Sequence, residues 1–94
     1  MKFEWDSRKA EANIAKHNVS FEEAETVFFD PIAAIFDDEW HSTGERREII
    51  IGYSQRNRLL LVCFTEREGT VIRIISSREA TPTERRRHET QTSE

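Results

Sequence analysis

Residues 58–78, RLLLVCFTEREGTVIRIISSR, decide the fold. Two apolar runs, 59–64 and 71–75, are rich in Val, Ile and Leu, and a polar stretch over 65–70 separates them. Gly69 tolerates positive φ, so the pattern predicts a β-hairpin whose strands are too apolar to lie at a sheet edge. Arg73 interrupts the second run, and Ser76-Ser77-Arg78 carries the strand out of the core. Arginines so placed on central strands are where a small sheet would show cations to an anion.

Outward toward the N-terminus, Lys2-Phe3-Glu4-Trp5 alternates as a short strand. Asp6 is a natural N-cap for a helix over 7–17 with Ala10, Ile14 and Ala15 turned inward, and Asn18 suits its left-handed end. Ser20 and Glu23 form a capping box for a second helix reaching about Phe29, with Phe21, Ala24, Val27 and Phe28 on one apolar face. Asp30-Pro31 stops it. Strands follow over 32–36 and 47–53, joined by a polar connection over 40–45. Beyond the hairpin, Thr81-Pro82-Thr83-Glu84 opens a basic helix over 84–88. The expected fold is α+β: two N-terminal helices packed on a small, mostly antiparallel sheet, with a C-terminal helix and all helices on one face. Residues 1–89 form a single domain, and 90–94 read as a flexible tail.

The chain has 94 residues, 36% apolar and 34% charged, with a net charge of −4. That composition permits one modest core. No apolar run nears the ~20 residues of a membrane span, and the first six residues lack the apolar stretch of a signal peptide. Cys63 reads as a buried thiol, and the cytoplasm is the expected compartment. Charge is unevenly spread: residues 1–45 carry four Lys/Arg and eleven Asp/Glu, and residues 46–94 carry ten Arg and seven Glu. Such asymmetry suits a polyanion or a charged partner, and equally a solvated surface.

No Gly-rich nucleotide loop, cysteine pair or His-x-x-x-His motif is present, so neither a cofactor nor a metal is expected. What remains is His17, Glu66, Arg67, Arg73 and Arg78, with Lys16 and Tyr53 nearby. That set contains an acid, a base and phosphate clamps, the parts a metal-free ribonuclease needs to leave a 2′,3′-cyclic phosphate. Each also has a plainer reading. His17 complements the carbonyl end of its helix, Glu66 and Arg67 are solvated hairpin residues, and Arg78 pairs with Glu66 or Glu79. Arg73 needs solvent or a partner.

The ordered series Phe3–Asp6, Asn13–Ala24, Val27–Pro31, Gly44–Arg47, Thr65–Arg67 and Ile72–Arg78 resembles the BrnT family, ribonuclease toxins of bacterial type II toxin–antitoxin systems. The resemblance implies a RelE-like fold and a metal-independent endoribonuclease that inhibits translation and growth. It also implies neutralisation by a BrnA-like ribbon-helix-helix antitoxin, through which alone the toxin meets operator DNA. By motif, His17, Glu66, Arg67 and Arg78 are the catalytic candidates, and Lys16 and Arg73 the RNA-binding ones. Asn18 stands where glycine is usual and Ser77 where a small apolar residue is usual. The alternative function is a non-catalytic subunit of a repressor complex.

Overall fold

The computed structural model describes residues 1–41 and 44–92. Strand β1 (Lys2–Glu4) leads to helices α1 (Ser7–His17) and α2 (Phe21–Thr26), the latter continuing as a 3₁₀ turn over Val27–Phe29. Strands β2 (Ala34–Asp37), β3 (Glu48–Tyr53), β4 (Leu59–Arg67) and β5 (Val71–Glu79) follow, then helix α3 (Pro82–Thr92). The sheet order is β1-β5-β4-β3-β2, antiparallel except for the parallel β1–β5 pair. The hairpin strands are longer than their apolar runs, and Glu68 and Gly69 both take positive φ in the turn between them.

The expected caps form. Asp6 accepts from the amides of Arg8 and Lys9, Asn18 ends α1 at φ 57°, and Ser20 accepts from the amide of Glu23. The Glu23 side chain does not return to Ser20; it turns into the protein, where Ser54 and Arg58 bond it. At Gly52 an added Cβ would lie 2.9 Å from the Ala33 Cβ and 3.0 Å from the Asp30 carboxylate, so only glycine lets this loop close on β3. Asp30 uses the approach to accept from the amide of Tyr53 at 2.7 Å.

The two faces of the sheet carry separate clusters. Under α1 and α2, Val19, Phe21, Ala24 and Val27 pack on Ile50, Leu60, Val62, Phe64, Ile72 and Ile74. Edge-to-face contacts of Phe28 with Phe3 and Phe64, and of Trp5 with Phe21, close this layer. On the other face, Ile51, Leu59 and Leu61 form a smaller cluster flanked by Ile49 and Tyr53. Helix α3 lies there, with buried His88 against the Tyr53 ring. The expectation of all helices on one face is therefore corrected: β3 and β4 are apolar on both faces, and α3 covers the second.

Two further expectations change. Ala10 packs against the core as expected, but Ile14 is 47% exposed and Ala15 is exposed too, and the buried residue of α1 is Asn13. Helix α3 extends through Thr92, so the stretch expected as a tail is helical over 90–92; residues 93–94 lie outside the described residues.

Candidate active site

A cleft of about 360 Å³ opens on the face of the sheet away from α1 and α2. Its floor is Ile49 of β3, Leu61 and Cys63 of β4, and residues 75–78 of β5; His17 stands on one side, and Asp38, His41 and Arg47 on the other. His17 belongs to the opposite layer, yet it reaches the cleft around an open edge. Strand β1 pairs only with Val71–Arg73, leaving the outer side of the later β5 residues without a strand.

Arg78 faces the cleft because of a β-bulge. Phe64 pairs with Ile74 but Cys63 pairs with Ser76, so Ile75 is an extra residue on β5. Ile72 and Ile74 point into the core under α1 and α2, and unbroken alternation would have sent Arg78 the same way. The bulge reverses the phase, as such irregularities do. Ser77 then takes the core side and Arg78 the face shared with its partner Leu61. Two parallel bonds from Arg78 to Glu84, at 2.8 and 3.0 Å, hold the guanidinium there and raise its pKa further. Glu84 also accepts from the amide of Thr81 while Thr81 Oγ1 accepts from the Glu84 amide, completing the expected capping box.

Two pins fix the end of α1 against β5. Asn13, 6% exposed, donates from its amide nitrogen to the carbonyls of Val19 and Ser77, both at 2.9 Å, and its oxygen accepts from the amide of Ser77. This side chain thus ties the strand residue beside Arg78 to the bend that follows His17. Arg58 bonds the buried Glu23 through both Nε and Nη2, the carbonyl of Asn18, and the Glu79 carboxylate. The Arg58 bond is the main cause that lowers the Glu23 carboxyl from its ordinary range.

The sequence reading missed the opposite wall. Asp38 is 7% exposed, and its two carboxylate oxygens lie 3.0 Å from Nδ1 of His41 on the following 3₁₀ turn. Cys63 Sγ donates to Asp38 Oδ2 at 3.7 Å. Burial first, then the Asp38 charge, pushes the Cys63 thiol up to about 11. It therefore stays protonated at neutral pH and is no nucleophile. The only signal available beforehand was a histidine three residues after an aspartate inside an acidic run.

The other candidates are not brought to the cleft. Glu66 pairs with Ile72 and so shares the α1–α2 face, opposite the cleft. Arg67 and Arg73 lie on the cleft face, where Glu4 bonds both, at 3.2 and 2.9 Å. Arg73 pairs with Thr65 and Arg78 with Leu61. Four strand residues separate those levels, on the order of 14 Å, and Arg67 is two residues farther, at about 20 Å. Lys16 is exposed beside His17. Among the described residues no three His, Cys, Asp or Glu side chains gather as a metal site would require.

The family model for BrnT, described as the ribonuclease toxin of a type II toxin–antitoxin system, matches residues 5–84. The chain belongs to the BrnT family. As a family of type II systems, it implies an antitoxin partner for each toxin. Among solved structures, the chain is similar to the Brucella abortus ribonuclease toxin, BrnT, at 28% identity and a TM-score of 0.66. The match covers 86% of this chain and 97% of that one. No curated protein sequence matches significantly. No helix among the described residues is long and apolar enough to cross a membrane.

Proposed function

We propose that the chain is a metal-independent endoribonuclease, the toxin that inhibits growth by cutting RNA in the cleft on its open sheet face. The observation that carries this reading is the meeting of His17, from the end of one helix, with Arg78, from a bulged strand, beside Arg47 and His41 in one cleft. Transesterification needs those parts. A base takes the ribose 2′-OH proton, the 2′ oxygen attacks phosphorus, and the P–O5′ bond breaks as an acid protonates O5′. Cations hold the phosphate and stabilise the charge that grows on it. The products are a 2′,3′-cyclic phosphate and a 5′-hydroxyl.

In this reading His17 and Arg78 are catalytic, and Arg73, Arg67 and Lys16 follow the RNA backbone away from the cleft. A catalytic role for Glu66 finds no support in its position. Cutting occurs in the cytoplasm, and a BrnA-like ribbon-helix-helix antitoxin blocks it by covering the cleft face. Kinship with the RelE superfamily belongs to the same reading.

The test is cleavage of a labelled RNA by purified protein with EDTA present, with analysis of the new ends. Cleavage leaving a cyclic phosphate supports the proposal. Cleavage that requires added Mg²⁺ or Mn²⁺ defeats the metal-independent mechanism. No cleavage under any condition favours the repressor-subunit role.

A further inference from the structure

Rather than His17 alone, the geometry points to the Asp38–His41 pair as the proton acceptor of the cleft, an inference that rests on the ribonuclease reading above. Asp38 is a buried carboxylate on a short surface turn, where its neighbours Asp37 and Glu39 are exposed. Capping a 3₁₀ turn does not require a buried charge, and burying one is costly unless it is bonded. Here both oxygens lie 3.0 Å from one group, Nδ1 of His41, with the Cys63 thiol on one of them besides. A carboxylate at Nδ1 fixes the proton there and leaves Nε2 with its lone pair available. The His41 side chain remains 68% exposed, so that nitrogen is open to a solute entering the cleft.

The groups around it suit the task. Arg47, preceding β3, and Arg78, from β5, line the same cleft and are positioned to hold a phosphate. Cys63 of β4 reaches the far side of Asp38 as a neutral thiol. His17 stands across the floor at the carbonyl end of α1, the helix end that complements a cation. The division of labour is then complete. His41 Nε2 takes the 2′-OH proton, the 2′ oxygen displaces O5′ at phosphorus, and His17 supplies the proton to O5′. Asp38 is a positioning residue that holds the His41 tautomer and stabilises the imidazolium formed. No oxidant, reductant or further reactant enters.

The experiment measures the pH dependence of RNA cleavage for the wild type, His41→Gln, His41→Ala, His17→Gln and Asp38→Asn, each checked by circular dichroism. His41→Gln is expected to lose about 100- to 10,000-fold in rate, the range for a missing general base, and with it the low-pH limb of the profile. Asp38→Asn lowers the rate and leaves RNA binding unchanged, because the ring is no longer held in the tautomer that frees Nε2. His17→Gln removes the high-pH limb. Added imidazole restores part of the rate of His41→Ala, which a purely structural role would not allow. If the wild type cleaves while His41→Gln stays within about twofold of it and keeps its low-pH limb, the assignment falls and the ribonuclease reading stands. If the wild type cleaves no RNA, both fall together.

Discussion

Arg78 and Glu84 face each other in a two-pronged ion pair, Nη1 to Oε1 at 2.8 Å and Nη2 to Oε2 at 3.0 Å. The same carboxylate closes the N-terminal cap of α3 through Thr81. One acidic side chain therefore links the start of a helix on the outer layer to the cation of the cleft. It also screens that cation, so a phosphate bound as proposed would have to compete with Glu84 for the guanidinium.

A pH-dependent contribution to stability follows. The Arg78 bonds are the main cause that holds the Glu84 carboxyl at about 2, below its ordinary 4.5. A depressed carboxyl stabilises the fold above its unfolded pKa and loses that contribution as pH falls through the folded one. Urea midpoints for wild type and Glu84→Gln should therefore differ at pH 7. The gap should close between about pH 4.5 and pH 2.

Asn13 should behave as a core residue despite its polarity. Asn13→Leu leaves two carbonyls and one amide unsatisfied in the interior, each costing about 1–3 kcal/mol. A loss of about 3 kcal/mol or more is expected in chemical denaturation, together with reduced cleavage, because His17 and Arg78 lose their common tether.

Much of the fold was legible because local chemistry speaks for itself. Asp6, Asn18, Ser20 and the Thr81–Glu84 box occupy the ends their side chains predict, and the hairpin pattern of 58–78 places two central strands. Asn13 was illegible because its polarity matches an exposed helical position, and only the carbonyls of Val19 and Ser77 reveal its role. Arg78 was legible as a cation at the end of a central strand, though its direction was not. A single extra residue, Ile75, decides which face it takes, and no periodicity marks the phase change. Arg67 and Arg78 sit near opposite ends of one hairpin, a separation that sequence proximity to the turn conceals. The Asp38–His41 wall lies in a polar connection without periodic signal, so only the folded chain brings it to His17.

The Glu23–Arg58 pair should resist replacement of either member. Glu23 is buried, so Arg58→Ala strands its charge, and removal of one partner from such a pair costs about 3–5 kcal/mol. Glu23→Gln is milder, since the amide keeps the Ser54 contact. In the double variant the losses should add to less than their sum, as measured by a thermodynamic cycle in urea.

The Arg67–Glu4 contact is exposed on both sides, and such pairs contribute about 0–1 kcal/mol. Arg67→Ala should therefore melt close to the wild type. As the backbone contact proposed above, its effect on RNA should appear as weaker, less salt-sensitive binding, because one phosphate contact and its released counterion are lost.

The most direct test compares single-turnover cleavage of one labelled RNA, with EDTA present, by wild type, Arg78→Ala and Arg67→Ala at saturating protein. The expected result is a fall of about 100- to 1,000-fold for Arg78→Ala, the usual cost of losing one preorganised charge donor, and a rate near wild type for Arg67→Ala. Equal rates for Arg78→Ala and wild type, or a larger loss at Arg67 than at Arg78, would contradict a reaction centred on the cleft.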